Sequence, residues 1–392
     1  MNKEFINALE EIEKEKGIDK SIILESIEKA LVKSYEKNFN DNTNVEIKIN
    51  DSTGDVTVYA LKEVVESKDD IEDNNTQISL DEALTLKKKS KVGNITKIKI
   101  APKNFGRVAA QTARNIVIQQ IKDAERQAIY NDYIDREREV ITGDVQRIDY
   151  NNIYINLGKT EGFIPPSEQV PNEKIRPGDR VKLFVSEVKS TSKGPQIILS
   201  RASAHLIRRL FELEVPEIAD GVVEIVSVAR EAGFRTKIAV HANDETVDPV
   251  GACVGLKGLR VNSIVDEING EKIDIIVWSN DISEFISNSL SPAEVKEVFV
   301  DEDEKSALAI VPDGQLSLAI GKEGQNVRLA AKLTNWKIDI KGESKRDEAV
   351  DEFNKQVEER RLAKETADLE AENVNSEIEV EENSDELIEN EN

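Results

Sequence analysis

The sequence contains one short pattern twice, and this repeat limits the folds that the chain can adopt more than any other feature. Each copy has a helical segment, a Gly-x-x-Gly tetrapeptide, a second helical segment and an alternating apolar strand. The tetrapeptides occupy residues 255–258 (the first loop) and 321–324 (the second loop), and a further helical segment precedes each copy. Because both copies keep one element order, the repeat predicts two similar α+β domains in tandem, at 201–280 and 281–345.

Helix, Gly-x-x-Gly, helix and strand, in that order, are the elements of a KH domain, here expected to be of the prokaryotic type II. Two glycines without a Cβ atom allow a tight turn to lie against a sugar-phosphate chain, with backbone N–H groups and the next helix N-terminus facing phosphate. A KH loop holds about four nucleotides in this way. A single Gly-x-x-Gly has little specificity, but two copies within one repeated pattern predict RNA binding.

Basic and amide side chains follow both tetrapeptides. The basic ones would neutralise phosphates, and the amides after the second loop have donors and acceptors that suit base edges. Glu323 lies within the second loop and should repel phosphate, so we expect that loop to bind RNA more weakly than the first. The loop residues that we expect to contact RNA are Gly255, Lys257, Gly258, Arg260, Gly321, Lys322, Gly324, Gln325, Asn326 and Arg328.

The overall charge argues against nucleic-acid binding, but its distribution along the chain does not. The 392 residues carry a formal net charge of −24, and an acidic protein repels polyanions. Half of that excess lies after Lys364, where twelve acidic residues and no basic residue occur. The segment 346–392 is therefore predicted to be a disordered acidic tail. Elsewhere Arg230, Arg235 and Lys237 extend the basic region that is expected around the loops.

Residues 135–200 change to the period of short strands. Apolar residues alternate with polar ones, and Gly and Pro separate about five strands, as in a small β-barrel of the S1 type within the OB-fold class. Such barrels bind single-stranded RNA through aromatic and basic side chains on one face. We expect Phe163 to stack on a base. Tyr154 is a second candidate, and the alternative for both rings is a place in the barrel core.

Several other classes of protein are excluded by composition. No run of residues is apolar enough to span a membrane, and the N-terminus lacks the apolar core of a signal peptide. One cysteine, Cys253, excludes an internal disulfide framework. With His205 and His241 it makes a poor set of soft metal ligands. Carboxylate sites for magnesium or calcium are the open alternative, and we expect no metal and no cofactor. Residues 1–134 show helical and alternating periods, which predict an α+β domain.

No residue has a recognisable catalytic partner, so the chain is not expected to be an enzyme. Gly158-Lys159-Thr160 resembles the end of a P-loop, but Ile153 occupies a position at which that motif needs glycine. A turn between strands is therefore favoured there. Cys253 is expected to be a small buried side chain rather than a reactive thiol. The rival class, a nuclease or NTPase with attached KH modules, predicts turnover in a nuclease or ATPase assay.

Several segments of the chain resemble the NusA family of bacterial transcription factors. They include Asp-Pro-Val-Gly-Ala-Cys-Val-Gly at 248–255 and Ala-Ile-Gly-Lys-Glu-Gly-Gln-Asn-Val-Arg-Leu-Ala at 319–330, and the resemblance covers residues 1 to about 345. It implies an N-terminal domain that docks on RNA polymerase, and an S1 barrel and two KH domains that bind emerging RNA. It also implies roles in pausing, hairpin-dependent termination and antitermination. Some members carry C-terminal acidic repeat domains, and roles that rest on those repeats are not carried over.

The sequence as a whole predicts a multidomain α+β chain. We expect a transcription elongation factor that contacts RNA polymerase, nascent single-stranded RNA and other antitermination factors, and that acts as a cytoplasmic monomer without a membrane partner. The alternative is an S1/KH RNA-binding protein of RNA decay or translation that acts without polymerase. The expected parts are an RNA polymerase-binding domain at 1–134, an S1 barrel at 135–200, KH domains at 201–280 and 281–345, and the acidic tail at 346–392.

Overall fold

The computed structural model describes residues 3–39, 44–87, 89–101, 105–171, 173–244 and 246–363. These residues fall into two compact units. The first ends at Asp135 and also includes Lys189–Gln196, and the second comprises Arg136–Val188 and the residues from Ile197 onward. No helix in the described ranges is long and apolar enough to cross a membrane.

The described residues of the first unit form helices packed on a four-stranded sheet. Its elements are α1 (Lys3–Lys16), α2 (Lys20–Phe39), β1 (Val45–Ile49), β2 (Val56–Val65), β3 (Gln77–Ser79), α3 (Leu80–Leu86), β4 (Ile95–Ile100) and α4 (Phe105–Ile134). Strand β2 pairs antiparallel with β1 and β4 and parallel with β3. Ile23, Ile27 and Leu31, spaced at helical intervals along α2, are fully buried in one core with Leu9 and Ile47. This confirms the α+β prediction for the region.

A closed five-stranded barrel follows. Its strands are β5 (Val140–Asp149), β6 (Asn152–Asn156), β7 (Glu161–Ile164), β8 (Arg180–Thr191) and β9 (Gly194–Ser200), and they close in the order β5-β6-β7-β9-β8. Alternate residues of the strands, such as Ile153, Ile155, Ile164 and Leu183, are buried inside. The closed barrel confirms the OB-type fold that the two-residue period predicts.

The first repeat forms a domain with a three-stranded mixed sheet. Its elements are α5 (Ala204–Glu214), α6 (Pro216–Ala219), β10 (Val223–Glu231), β11 (Arg235–Ala242), α7 (Pro249–Val254), α8 (Leu259–Glu267) and β12 (Lys272–Val277). Strands β10 and β11 are antiparallel, whereas β11 and β12 are parallel. A sheet with one parallel pair is the type II KH arrangement, as predicted. Leu206, Phe211, Ile238 and Ile264 are buried between the helices and this sheet.

The second repeat folds in the same way. Its elements are α9 (Ile282–Ser289), β13 (Glu297–Asp301), β14 (Ser306–Val311), α10 (Leu316–Ile320), α11 (Gln325–Thr334) and β15 (Lys337–Gly342). Strands β13 and β14 are antiparallel, and β14 and β15 are parallel. Apart from the four-residue helix α6 of the first repeat, the element order is the same, and the strands pair alike, which confirms that the repeated pattern encodes one architecture twice.

The composition of residues 346–392 predicts a disordered tail, but part of this segment is folded. Residues 346–363 form a further helix, α12. Ala349 and Phe353 of this helix pack on the sheet of the second KH domain against Leu308. The prediction of disorder is wrong here, because apolar residues at helical spacing cover an apolar face of that sheet. Residues 364–392, which carry the twelve acidic residues, lie outside the described part of the chain.

Each KH sheet has one face covered by apolar residues that come later in the chain. On the first sheet, Ala229, Ala239 and Ile276 pack against Leu329 and Leu333 of α11. On the second sheet, the equivalent face is covered by α12. The two KH domains therefore share an apolar contact, which fixes the position of one Gly-x-x-Gly loop relative to the other.

Candidate nucleic-acid interface

The two Gly-x-x-Gly loops have the same backbone conformation. In the first loop, φ is +72° at Gly255, +53° at Lys257 and +77° at Gly258, and the equivalent angles of the second loop are +76°, +54° and +76°. Left-handed residues at three of four positions turn the chain sharply, and α8 and α11 begin directly after the second glycine. Glycine at the first and last positions allows this conformation without steric cost.

The first glycine of each loop also makes room for the residue five positions further on. A Cβ atom at Gly255 would lie 2.7 Å from Cγ of Arg260, and one at Gly321 would lie 2.7 Å from the backbone nitrogen of Asn326. By contrast, nothing lies within 4 Å of a Cβ atom built at Gly324. The first glycine is therefore required by packing as well as by its dihedral angles, and Gly324 by its dihedral angles alone.

Asn326 holds the second loop in place from inside the domain. Its side chain is buried, and its nitrogen donates to the carbonyl oxygens of Leu290 (2.9 Å) and Ala319 (3.0 Å). The prediction that Asn326 reads a base edge is wrong, because both the burial and these hydrogen bonds keep its amide group away from a ligand. The amide instead ties the loop to the end of the preceding helix α10.

Arg260 occupies the equivalent position in the first loop and has the equivalent role. Its Nη1 donates to the carbonyl oxygen of Ala252 (2.6 Å), at the end of helix α7, and pairs with Glu217 at 2.9 Å. Its side chain is 30% exposed. The structure therefore places Arg260 behind the loop, where it holds the backbone turn, rather than at the loop surface where the predicted phosphate contact would be made.

Lys257 and Lys322 are the exposed cations of the two loops. Lys257 follows Leu256, which is 79% exposed, so the first loop presents an apolar and a basic side chain. In the second loop Lys322 comes first, and Glu323 occupies the position of Lys257. The equal backbones thus present different charges, as the sequence comparison of the loops predicts.

Gln325 and Arg328 lie on one face of the first turn of α11 and share a carboxylate. Arg328 Nε lies 2.5 Å from Oε1 of Glu231, and Gln325 Nε2 lies 2.9 Å from Oε2 of the same residue. Glu231 is the last residue of β10 and belongs to the first KH domain. Gln325 and Arg328, which were both predicted to contact RNA, thus lie beside the second loop. Both are hydrogen-bonded to the carboxylate of Glu231 from the neighbouring domain.

Lys237 lies inside the protein rather than on an RNA-binding surface. Its side chain is fully buried, and its Nζ donates to the carbonyl oxygen of Ser291 (2.7 Å) and lies 3.3 Å from Asp274. Burial lowers the pKa of Lys237, and Asp274 partly opposes that shift. Arg235 pairs with both oxygens of Asp274, at 2.7 and 2.8 Å. The prediction of an RNA contact is wrong for Lys237, because its ammonium group joins the two KH domains.

Buried ion pairs lie at the junction of the barrel and the first KH domain, and the pair of Arg201 with Glu173 crosses it. The side chain of Arg201 is 2% exposed and pairs with Glu173 and with Glu267 of α8, the latter at 3.2 Å. Arg230 is equally buried, pairs with Glu271 at 2.9 Å and donates to the carbonyl oxygen of Arg201 at 2.7 Å. Arg230 is therefore not part of a basic surface. Removing one member of such a pair leaves a buried charge and costs about 3–5 kcal/mol.

The outer face of the barrel carries a column of stacked side chains. Tyr154 and Phe163 pair across β6 and β7 and alternate with buried isoleucines, so both rings face outward. Their centroids lie 6.2 Å apart, and the guanidinium carbon of Arg147 lies 3.9 Å above the Tyr154 ring. A register shift after Val145 places Arg147 opposite Tyr154. The sequence analysis missed Arg147, because the period of the strand alone does not reveal the shift.

The residues of the rival chemistries lie inside the first KH domain and in a connection between two barrel strands. Cys253 is buried, and burial is the main cause that raises the pKa of its thiol to about 12. The segment from Gly158 to Thr160 lies between β6 and β7 as a turn. Within the residues that the structure describes, no group of three or more His, Cys, Asp or Glu side chains is placed to hold a metal ion.

Family models match the chain along most of its length. They describe the NusA N-terminal domain at 4–127, the S1 RNA binding domain at 134–201, the NusA-like first KH domain at 201–278 and the NusA-like second KH domain at 282–348. A relative from Halalkalibacterium halodurans, named transcription termination/antitermination protein NusA, is 55% identical over 348 residues, which are 89% of this chain and 90% of that protein. The chain belongs to the NusA family.

Further NusA proteins are similar to it at lower or equal identity. The protein of Bacillus subtilis is 54% identical over 88% of this chain and 92% of its own length. That of Thermus thermophilus is 41% identical over 86% of this chain and 89% of its own length. The solved N-terminal domain of Bacillus subtilis NusA is 44% identical and covers 32% of this chain and 99% of that structure, with a TM-score of 0.29. Membership of the NusA family makes transcription termination and antitermination the function of this chain.

Proposed function

We propose that the barrel and the two KH domains together hold nascent single-stranded RNA. The observation that carries this proposal is the equality of the two loops: both have the same left-handed turn, and each presents an exposed lysine, Lys257 or Lys322, beside glycines that lack a Cβ atom. A phosphate chain can therefore approach the backbone of both loops closely.

The barrel adds a different kind of contact. The rings of Tyr154 and Phe163 face outward beside Arg147, and such rings stack on bases without strong sequence preference. Because the buried ion pair between Glu173 and Arg201 joins the barrel to the first KH domain, and an apolar contact joins that domain to the second, the three sites keep fixed positions. A strand of RNA held at several fixed points loses conformational freedom once, so later contacts cost less entropy.

The N-terminal domain has the complementary role in this proposal. We assign RNA polymerase contact to residues 1–134, and RNA contact to the S1 and KH domains. The protein would then bind the transcript while it is bound to RNA polymerase. The proposed protein acts as a monomer in the cytoplasm, contacts other antitermination factors and catalyses no reaction of its own. Absence of association with core RNA polymerase in a pull-down with the full chain would contradict the first of these assignments.

The RNA-binding proposal is tested by closing the loops to the phosphate chain. Gly258→Asp with Gly324→Asp adds one acidic side chain to each loop at glycines whose added Cβ atoms meet only the side chain of Asn262, at 3.2 Å, or nothing. Aspartate adopts left-handed dihedral angles more readily than most residues. We expect the variant to stay folded and to lose oligouridine affinity by more than about tenfold, since two negative charges face the phosphates.

Gly270→Asp is the matched control for this variant. Gly270 also has a positive φ, +84°, with nothing within 4 Å of an added Cβ atom, but it lies at the other end of α8, outside both loops. It should leave RNA affinity close to that of the unmodified chain. A folded double variant that binds oligouridine as well as the Gly270→Asp control would remove the loops from the RNA-binding surface. A paused-transcription assay with both proteins then measures the effect on polymerase.

A further inference from the structure

A groove lies between the turn that joins β10 to β11 in the first KH domain and the second loop. It is lined by Phe234, whose ring is 54% exposed, by the exposed side chains of Lys272 and Lys322, and by Glu231 and Arg328. An exposed ring flanked by cations is the combination by which proteins hold single-stranded nucleic acid. Phe234 and Lys272 belong to neither loop, so the repeated sequence pattern does not indicate this groove.

One anion already lies in the groove. The two carboxylate oxygens of Glu231 accept hydrogen bonds from Arg328 Nε, at 2.5 Å, and from Gln325 Nε2, at 2.9 Å. Arg328 is about half exposed, whereas Glu231 is 18% exposed. The Arg328 guanidinium holds the pKa of Glu231 below its usual range, so the carboxylate is ionised at neutral pH.

The donors around that carboxylate are those that proteins use to bind phosphate. Arginine binds carboxylate and phosphate with the same hydrogen-bonding edge, and Gln325 and Arg328 project from the first turn of the ten-residue helix α11, where the helix dipole favours an anion. Lys322 in the adjoining loop adds a further positive charge to the same groove. The Glu231 carboxylate thus lies where a phosphate of bound RNA would find its partners.

We infer that Arg328 and Gln325 form a phosphate subsite of the RNA-binding surface, and that Glu231 occupies this subsite until a phosphate of RNA replaces it. The inference rests on the proposed function, since it requires RNA on the second KH domain. It adds the groove with Phe234 and Lys272 to that surface, and it makes Glu231 a competitor of the ligand. Binding at the second loop then requires Arg328 to exchange one anion for another.

The apolar contact between the KH domains shows why Glu231 is not needed to join them. Ala229 and Ala239 already pack on Leu329 and Leu333, and the hydroxyl of Ser227 donates to the carbonyl oxygen of Leu333 at 2.9 Å. These contacts hold α11 against the first sheet without Glu231. These contacts are independent of the partly exposed pair between Arg328 and Glu231, so that pair can open without separating the domains.

Glu231→Gln tests the inference directly. Glutamine keeps an oxygen that accepts from Arg328 but removes the competing negative charge. We expect the full-length variant to bind a fluorescein-labelled oligouridine of about 12 nucleotides, long enough for two KH loops, about threefold to tenfold more tightly at low salt. The dependence of log affinity on log salt should steepen, because in the unmodified chain the displaced Glu231 carboxylate attracts a cation and offsets part of the counterion release.

Two variants separate this effect from a general change of charge. Glu224→Gln removes the same charge from an exposed position on the same strand, β10, and should give a much smaller gain. In the Arg328→Gln background, Glu231→Gln should give no gain, because the subsite is absent. Equal gains for Glu224→Gln and Glu231→Gln, or a gain that persists without Arg328, would overturn the inference.

A measurement on the unmodified chain keeps the inference testable if Glu231→Gln loses stability. In ¹⁵N-labelled protein, the Arg328 Nε–H resonance reports the partner of that group, and saturating oligouridine should shift it. An unchanged resonance while RNA is bound would overturn the subsite. If instead the unmodified chain and the Gly258→Asp/Gly324→Asp variant bind oligouridine equally weakly, the proposed function itself fails, which is a different outcome.

Discussion

The two KH domains share an architecture but differ in the group that fixes each loop and in the charge that each loop presents. Their strands pair alike and their loop φ angles agree closely. Yet Arg260 holds the first loop where Asn326 holds the second, and Glu323 stands where the first loop has Lys257. The comparison teaches that glycines and packing determine the backbone of the loop, whereas the charge at its tip varies without a change of fold.

The domains also differ in what covers their sheets. The sheet of the first domain is covered by helices of a complete second domain, with Ala239 against Leu329. The sheet of the second domain is covered by the single helix α12, through Ala349 and Phe353. The second domain therefore depends on a short C-terminal segment for the burial that the first obtains from its neighbour.

Deleting residues 346–392 should have the largest effect, because it uncovers the second sheet. Phe299, Leu308 and Ile310 would lose their contacts with α12, and we expect the free energy of unfolding of this domain to fall by about 3–5 kcal/mol. Deleting only 364–392 keeps α12 and should leave the urea midpoint unchanged. Equal midpoints for the two truncations would show that α12 contributes no burial.

Exchanging the groups that hold the loops should have the next largest effect. Asn326→Leu leaves the carbonyl oxygens of Leu290 and Ala319 without a buried donor, and we expect a loss of about 2–4 kcal/mol in the free energy of unfolding. Arg260→Met in the first domain should cost only about 1 kcal/mol, because water reaches a side chain that is 30% exposed. Urea denaturation followed by circular dichroism measures both losses of unfolding free energy. A larger loss for Arg260→Met than for Asn326→Leu would contradict the equivalence of the two positions.

Exchanging the charges of the loop tips should change RNA affinity without changing stability. Lys257→Glu gives the first loop the charge of the second, and we expect oligouridine affinity to fall about tenfold. Glu323→Lys does the reverse in the second loop and should raise affinity severalfold. Fluorescence anisotropy at two salt concentrations measures both changes, and effects of the same sign would show that the loops do not face phosphate.

Lys237→Met should have the smallest effect on RNA binding, namely none. The ammonium group is buried between the KH domains and bonded to Ser291 and Asp274, so its loss should alter stability only. Lys322→Met, at an exposed loop position, should reduce oligouridine affinity about threefold. A loss of affinity for Lys237→Met at unchanged stability would return that residue to the RNA-binding surface.

The two Gly-x-x-Gly loops could be predicted because the residues that determine them lie close together in sequence. Glycine spacing and the apolar period of the flanking helices are enough to place the two turns, and the charge difference at Glu323 is read directly. For Phe163 the period of the strand left the barrel core open as an alternative, and the buried Gly162 and Ile164 on either side place its ring outward. These features depend on neighbours within a few positions along the chain.

Two of the wrong assignments, Lys237 and Arg230, concern side chains whose partners lie far away in sequence. Lys237 finds Asp274 and Ser291, and Arg230 finds Glu271, across separations of 37, 54 and 41 residues. A count of basic residues treats these buried groups like exposed ones, because burial is a property of the tertiary fold. Helix α12 is different, because the helical spacing of its apolar residues is a local signal. The prediction of disorder missed it because it rested on the average charge of residues 346–392.

Each KH sheet is covered by residues that come later in the chain, and this order has a consequence for synthesis on the ribosome. The chain emerges from its N-terminus, so Ala229, Ala239 and Ile276 are made before Leu329 and Leu333 exist. During that interval the first sheet has a bare apolar face, of the kind on which chaperones act. The same delay recurs for the second sheet until α12 is complete. The rate of synthesis across residues 277–363 thus determines how long the apolar face of each KH sheet stays exposed to solvent.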